Sequence, residues 1–548
     1  MISRISVEDR NLNSKYNHSK PVKKTESNPS FKAGLWDVAL LGIQECEKNP
    51  MINVAVIDLL SAILPRTIVE SMTNWFAGFE AFRRESSGLL VNCIIPGFIT
   101  MGMAYLFNSF IMPKGSNLAT CWADSSLIQK ASDIYASAPV DDKLKNSYKE
   151  ILGNVVGYNG KEKIIYKQNG LTENEIEIFA NKLKEITNSD LKGLGFRKEV
   201  KKLSEEIGAK THVFENITVG EGKGAVKATT LNTLLEDTIK YFREYGKVSN
   251  DISLAEYAKR GKKLVKAKSI AGLAIVLPLA ASMQYINRKI TEKISGVEGA
   301  PIYEDFGKEQ NAEIRAKSKE GLLKQKLISV SSMIGVGLLS MMKKPTWNMF
   351  EFKGLFPTMD QARIISTTTF ASRMLVADDK NELAEATGRD IATFCGLYFL
   401  GDYAAKATAT AIQKSTGVTL LNETKELEKD ANIFKRFKHW VKDTNIKSSE
   451  EVVSKTAQEL KALGKTPTKE QEAIIAKELK RAVNLRSACQ LANLGVSLVL
   501  LGLIVPIWTR SNTKKKHAEQ LRQAEINISS QNNETEYPRV GIKTSSAA

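Results

Sequence analysis

Asp402 and Lys406 stand four residues apart in a run that is otherwise free of charge, "IATFCGLYFLGDYAAKATATAI", Ile391 to Ile412. On a helix that spacing puts a carboxylate and an ammonium on one face. Inside a bilayer such groups are costly and mark ion, proton or substrate paths. The plainer reading, and the commoner one, is an amphipathic helix that lies against others with both charges at its polar edge.

A second spacing occurs twice. "EAFRRE", Glu80 to Glu85, and "EATGRD", Glu385 to Asp390, share the pattern Glu-Ala-x-x-Arg-acid, and each precedes an apolar run. Helical spacing faces Glu80 toward Arg84 and Glu385 toward Arg389, pairs worth roughly 0.2–0.5 kcal/mol when exposed. Their placement suits interfacial ion pairs that anchor a helix start. The functional alternative makes them matching halves of an internal duplication around a polar centre, as in many transporters. The flanking sequences do not extend the alignment, which favours coincidence.

Other chemistry leaves little trace. The histidines His18, His212, His439 and His517 are isolated in polar segments, without metal-ligand neighbours or an HExxH pattern. The stretch "VGEGKGAVKATT" alternates Gly220, Gly222 and Gly224 around Lys223, which fits neither phosphate-loop pattern and reads as a turn. No GxSxG elbow occurs. Cys46, Cys93, Cys121, Cys395 and Cys489 have no paired spacing; three lie in apolar runs and read as small buried hydrophobes. No catalytic set, metal or cofactor is expected.

The elements that position these residues are set by four uncharged runs: Gly88–Met112, Ser269–Asn287, Leu327–Met342 and Ser487–Trp508. About 20 apolar residues cross a bilayer as a helix, so the first and last span unaided, the second is near the typical length, and the third, at 16 residues, is short. Each is followed by basic residues, Lys114, Arg288, Lys343 and Arg510, placed to reach lipid headgroups. Pro96, Pro278 and Pro506 fall inside the runs and kink them. Ala488, Ala492, Gly495 and Gly502 recur at helical spacing, which predicts a close-packing face.

The fold expected is therefore all-α: a multi-pass helical membrane protein with about four spans, helical hydrophilic regions and a small β element within 155–230. The chain divides into a polar tail (1–32), amphipathic helices leading into a first span (33–112; span 88–112), and a hydrophilic, mainly helical region (113–268). Two spans with a basic connection follow (269–342; spans 269–287 and 327–342), then an amphipathic or partly embedded region (343–415). Hydrophilic helices run into the last span (416–510; span 487–508), and a polar basic tail closes the chain (511–548). Before the first span, two apolar stretches broken by Asn49 and Pro50 and closed by Pro65 read as interfacial or bundle helices, the alternative being a membrane-dipping hairpin. Leu231, Leu234, Leu235, Ile239 and Phe242 follow helical spacing with Thr229 or Thr230 as cap.

Membrane insertion is expected from internal segments, because the first thirty residues hold no apolar core of a cleavable signal peptide. The 78 Lys and Arg against 61 Asp and Glu give net charge +17, which favours anionic lipid headgroups. Specific nucleic-acid binding is not expected: among the basic segments only "KRFKHWVK" interleaves aromatics with charge. Protein partners or a homo-oligomer fit a non-enzymatic membrane scaffold or interaction protein, the first functional expectation. The alternative is a small-solute or ion transporter or channel with Asp402 as its polar site.

Overall fold

The uncharged runs Ser269–Asn287 and Ser487–Trp508 lie inside longer helices, and most of Gly88–Met112 and of Leu327–Met342 is helical too, with strong helix formers flanking the runs. The computed structural model describes residues 42–47, 49–159, 162–221, 225–304, 306, 321–341, 347–423, 425, 427, 431–462 and 469–536. Seven long helical legs run among them: α1 (Pro50–Ser71), α2 (Trp75–Ile111), α3 (Leu254–Ser295), α4 (Leu322–Ser340), α5 (Met359–Val376), α6 (380–416) and α7 (469–536). Of these, α1, α2, α3, α4 and the Ile475–Gln523 part of α7 are long and apolar enough to cross a membrane.

Four legs contain a π-helical turn: Asp58–Ile63, Leu90–Ile94, Gly396–Leu400 and Leu498–Ile504. Pro65, Pro96 and Pro506 each stand two residues after one. A proline ring clashes with the carbonyl four residues back, and the widened π turn leaves room for it. Pro65 therefore does not close α1, which continues to Ser71 as a fifth apolar leg.

The legs alternate in direction. At one end Asn74, Tyr303, Asp379 and Arg510 converge; at the other, Glu47 meets Arg486 (3.7 Å) and Glu351 accepts from the Ser125 amide (2.8 Å). The outer face carries exposed Leu59, Phe98, Leu106, Ile275, Leu327 and Ile507, while Arg66, Glu85, Arg288, Arg373 and Asp390 are buried inside. Charge buried among apolar core residues such as Val91, Ile365 and Phe370, while large apolar side chains face outward, departs from the usual order of a water-soluble bundle.

At the second end lies the hydrophilic unit between α2 and α3. Thr230 caps the helix Leu231–Gly246, whose leucines pack with Tyr148, Val200 and Ile207 in the unit's own core. The small β element is a four-stranded antiparallel sheet in the order β2-β1-β3-β4, formed by β1 (Val155–Asn159), β2 (Glu162–Ile165), β3 (Glu215–Val219) and β4 (Val226–Thr230). Between α6 and α7, β5 (Leu421–Glu423) pairs with β6 (Thr444–Ile446), and Ser448 with Glu451 closes a capping box (3.2 and 3.0 Å).

Two sequence expectations change. The polar segment after Ser511 continues α7 as helix to Glu536 instead of fraying at once. The packing face of α7 is Ala482, Cys489, Asn493 and Ser497, all buried; Ala488 and Ala492 are half-buried and Gly495 is exposed. Only Gly502 of the predicted stripe meets a neighbour closely, with a Cβ there 3.1 Å from Pro65 and 3.2 Å from the Ser61 carbonyl. From this face Asn493 donates to Asp402 (3.4 Å). The predicted tail 1–32, His18, Gly222, Lys223 and Gly224 lie outside the described residues.

Candidate functional site

Both Glu-Ala-x-x-Arg-acid motifs lie in the first turns of a leg, in the same register. Asn74 caps α2 by accepting from the Ala77 amide (2.8 Å), and Asp379 caps α6 by accepting from Asn381 and Glu382 (2.8 and 2.9 Å). The motif glutamate follows its cap by six residues in each case, Glu80 after Asn74 and Glu385 after Asp379. A π turn then follows in both legs.

The two motifs meet at Arg373 of α5. Its guanidinium holds Glu85 of the first motif at 3.1 Å and Asp390 of the second at 3.3 Å. Within each motif the arginine pairs with the acid beside it, Arg84 with Glu85 (3.0 Å) and Arg389 with Asp390 (3.3 Å). Each leading glutamate takes an arginine from another leg, Glu80 from Arg288 (3.2 Å) and Glu385 from Arg510 (3.7 Å). Arg66 of α1 adds a pair to Glu85 (3.3 Å) and a hydrogen bond to Thr393.

Beside this centre, two glutamates and two arginines form a ring. Arg389 lies 3.8 Å from Glu70 and 3.6 Å from Glu385; Arg510 lies 3.8 and 3.7 Å from the same two residues. These gaps exceed hydrogen-bonding length. Glu70 Oε2 and Glu385 Oε2 are buried without a hydrogen-bond partner, as is Arg510 Nη1, and Glu70 and Glu385 border, with Arg66 and Arg389, a cavity of about 10 Å³. That is room for about one water, which would donate to the carboxylates and accept from an arginine.

A polar column leads from the centre along α5. Arg373, Thr369 and Ser366 share one face; Thr369 donates to Asn92 (3.0 Å) and Ser366 bonds Tyr398 (2.8 Å). The partners come from α2 and α6, the two motif legs.

The structure thus brings Glu385 and Arg389 together as a buried pair, whereas Glu80 binds Arg288 and Arg84 binds Glu85. Asp402 and Lys406 do not meet each other: Asp402 is exposed and accepts from Asn493 (3.4 Å), while Lys406 is buried and donates to the Val441 carbonyl (3.1 Å). Sequence reading passes over Arg66, Glu70 and Arg373 entirely. It notes Arg288 and Arg510, but as flanks reaching headgroups; both are buried instead, because glutamates on other legs neutralise them. The signal was present in the second motif, whose two acids, Glu385 and Asp390, have one arginine between them, whereas in the first Glu80 and Glu85 are matched in number by Arg83 and Arg84.

The hydrophilic unit docks on the segment between α6 and α7 through His212, which bonds Ser454. Glu215 faces Glu451, Glu450 and Glu47 there, with Arg486 as a nearby cation, and burial first, then those carboxylates, push it up to about 8. Burial likewise pushes Glu451 up to about 7. An unfolded glutamate titrates near about 4.3, so between these values the folded chain holds protons that the unfolded chain has released. This contribution is complete below about pH 4 and is lost as pH rises through about 8. Glu215→Gln is expected to melt with the wild type at about pH 5 and several degrees above it at about pH 9. A gap that does not widen with pH would remove Glu215 as its source.

No protein-family model, curated protein or solved structure matches this chain.

Proposed function

We propose that the protein is a multi-pass membrane carrier for a small ion, with the Arg373 centre as its closed gate. The observation that carries this reading is the sharing of Arg373 by two equally placed motifs on different legs. Repeated halves around a polar centre are the architecture of many secondary transporters. Buried ion pairs rarely add stability over well-packed apolar residues, so a network of them joining six legs is better explained by specificity or switching. Breaking and remaking such pairs gives two discrete states, which a carrier requires. The polar column beyond the gate supplies hydroxyls and one amide, groups suited to a partly dehydrated ion.

The test is flux into vesicles reconstituted with the full chain. Interior dye reports protons, and ion-selective electrodes report Na⁺, K⁺ and Cl⁻, under membrane potentials of either sign. Flux of one of these ions above that of protein-free vesicles is expected, altered strongly by Asp390→Asn in protein that remains folded. Unchanged flux in Asp402→Asn would leave the centre, not Asp402, as the site. Vesicles tight to all four ions, with folded protein inserted, would overturn the carrier reading. A non-enzymatic scaffold would then stand, favoured by the hydrophilic unit with its separate core.

A further inference from the structure

The helix Ile433–Lys442, "IFKRFKHWVK", buries none of its ten residues. Ile433 is 82% exposed, Phe434 85% and Phe437 62%, large apolar side chains that water would disfavour. With Trp440 and Val441 they follow the spacing i, i+1, i+4, i+7, i+8 and fill one face. Lys435, Arg436, Lys438, His439 and Lys442 fill the other. Asn432 caps the helix by accepting from the Lys435 amide (2.8 Å).

Its height on the bundle is fixed by three contacts. Trp440 donates to Thr410 (3.0 Å), its ring lies 6.1 Å from Tyr403, and Lys406 reaches the Val441 carbonyl. Ala405 and Ala409 on this part of α6 pack with Ala482 and Cys489 of α7. The intervening Arg486 is the last charged residue before the uncharged run of α7. The helix is therefore held where the apolar belt of the bundle ends, with Trp440, Phe437 and Tyr403 stacked along that level.

We infer that Ile433–Lys442 is an interfacial anchor for acidic phospholipid, its apolar face entering the acyl boundary and its basic face meeting headgroup phosphates. Both halves of the chemistry are on one short helix: apolar area to partition, and positive charge complementary to an anionic leaflet. Tyr and Trp are at home at this depth, where one side of the ring is apolar and the other wet. The inference rests on the membrane reading but not on ion flux.

The test uses the full chain in vesicles, with Cys395, the one half-buried native thiol, replaced by serine. Phe434→Cys carries an environment-sensitive fluorophore, and Leu194→Cys, at an exposed site of the hydrophilic unit, is the control. Vesicles hold phosphatidylcholine alone or with phosphatidylglycerol, plus lipid brominated in the acyl chains. The label at 434 is expected to shift to the blue and be quenched, more so with phosphatidylglycerol and less in high salt, while the label at 194 stays in water. Lys438→Glu with Lys442→Glu should remove most of the phosphatidylglycerol dependence, each lysine accounting for about fivefold in partitioning. No quenching at 434 in protein that floats with the vesicles overturns the anchor and leaves the membrane reading intact. Quenching indifferent to phosphatidylglycerol overturns the headgroup assignment, as does a fluorescence response to an RNA oligonucleotide in its place. Protein that fails to float with vesicles sinks the membrane reading itself, and the anchor with it.

Discussion

Arg373→Gln is expected to produce a large loss of stability, because one side chain neutralises acids on two legs. Its guanidinium holds Glu85 at 3.1 Å and Asp390 at 3.3 Å, with all three residues buried. Removing one partner of a buried pair costs about 3–5 kcal/mol, most of it the penalty of a charge left without compensation. The lower end applies here. Glu85 keeps Arg66 and Arg84, and Asp390 keeps Arg389. Asp390→Asn on top of Arg373→Gln is expected to recover part of the loss, since it removes the acid with the fewest remaining cations. Arg373→Lys should fall between, because an ammonium cannot present two parallel donors to two carboxylates. Thermal unfolding of purified protein checks this through a double-mutant cycle. Additive effects of the two substitutions, or an unchanged Tm for Arg373→Gln, would show that the two motifs are not coupled through Arg373.

A comparable loss is expected from the smallest possible change at Gly97. This residue follows Pro96 just past the π turn of α2, where a Cβ would fall on the carbonyl oxygen of Leu355 and lie 3.1 Å from its Cα. The obstacle is backbone, so no side chain can rotate away. Gly97→Ala must displace α2 or the segment before α5, and overpacking of this kind costs about 1–3 kcal/mol or more. Gly102, on the same leg, is exposed, and apart from the adjoining backbone of its own helix no atom lies within 4 Å of the point an alanine methyl would occupy there. Gly102→Ala is expected to hold or slightly raise Tm, since alanine is favoured over glycine in helices by about 1 kcal/mol. Equal effects at the two positions would mean that backbone entropy, not close approach, governs both.

The polar column makes the same two legs sensitive in another way. Asn92 sits inside a π turn and accepts from Thr369, so its amide depends on a widened helix that local propensity does not predict. A sequence pattern of period 3.6 drifts by one residue across each such turn. Gly502 lies within the π turn of α7, so its register relative to Ala488, Ala492 and Gly495, which precede the turn, is shifted from the one a regular helix would give.

Local patterning by itself determined the helices, their caps and the uncharged lengths. Thr230 caps where its spacing predicts, Ser448 and Glu451 form their box, and each uncharged run contributes to a leg, because propensity, capping and apolar length act over a few residues. Both Glu-Ala-x-x-Arg-acid motifs were legible as a repeat, and so was the basic, aromatic character of Ile433–Lys442. Only the tertiary structure decided which charges meet. Glu85 and Asp390 are some 300 positions apart in the chain and share an arginine that belongs to neither motif. Arg288 and Arg510 end uncharged runs as headgroup-seeking residues do, yet turn inward because glutamates on other legs wait there. The partner of a buried charge is set by how the legs pack, since a desolvated ion must be neutralised within a few ångströms whatever its distance along the chain.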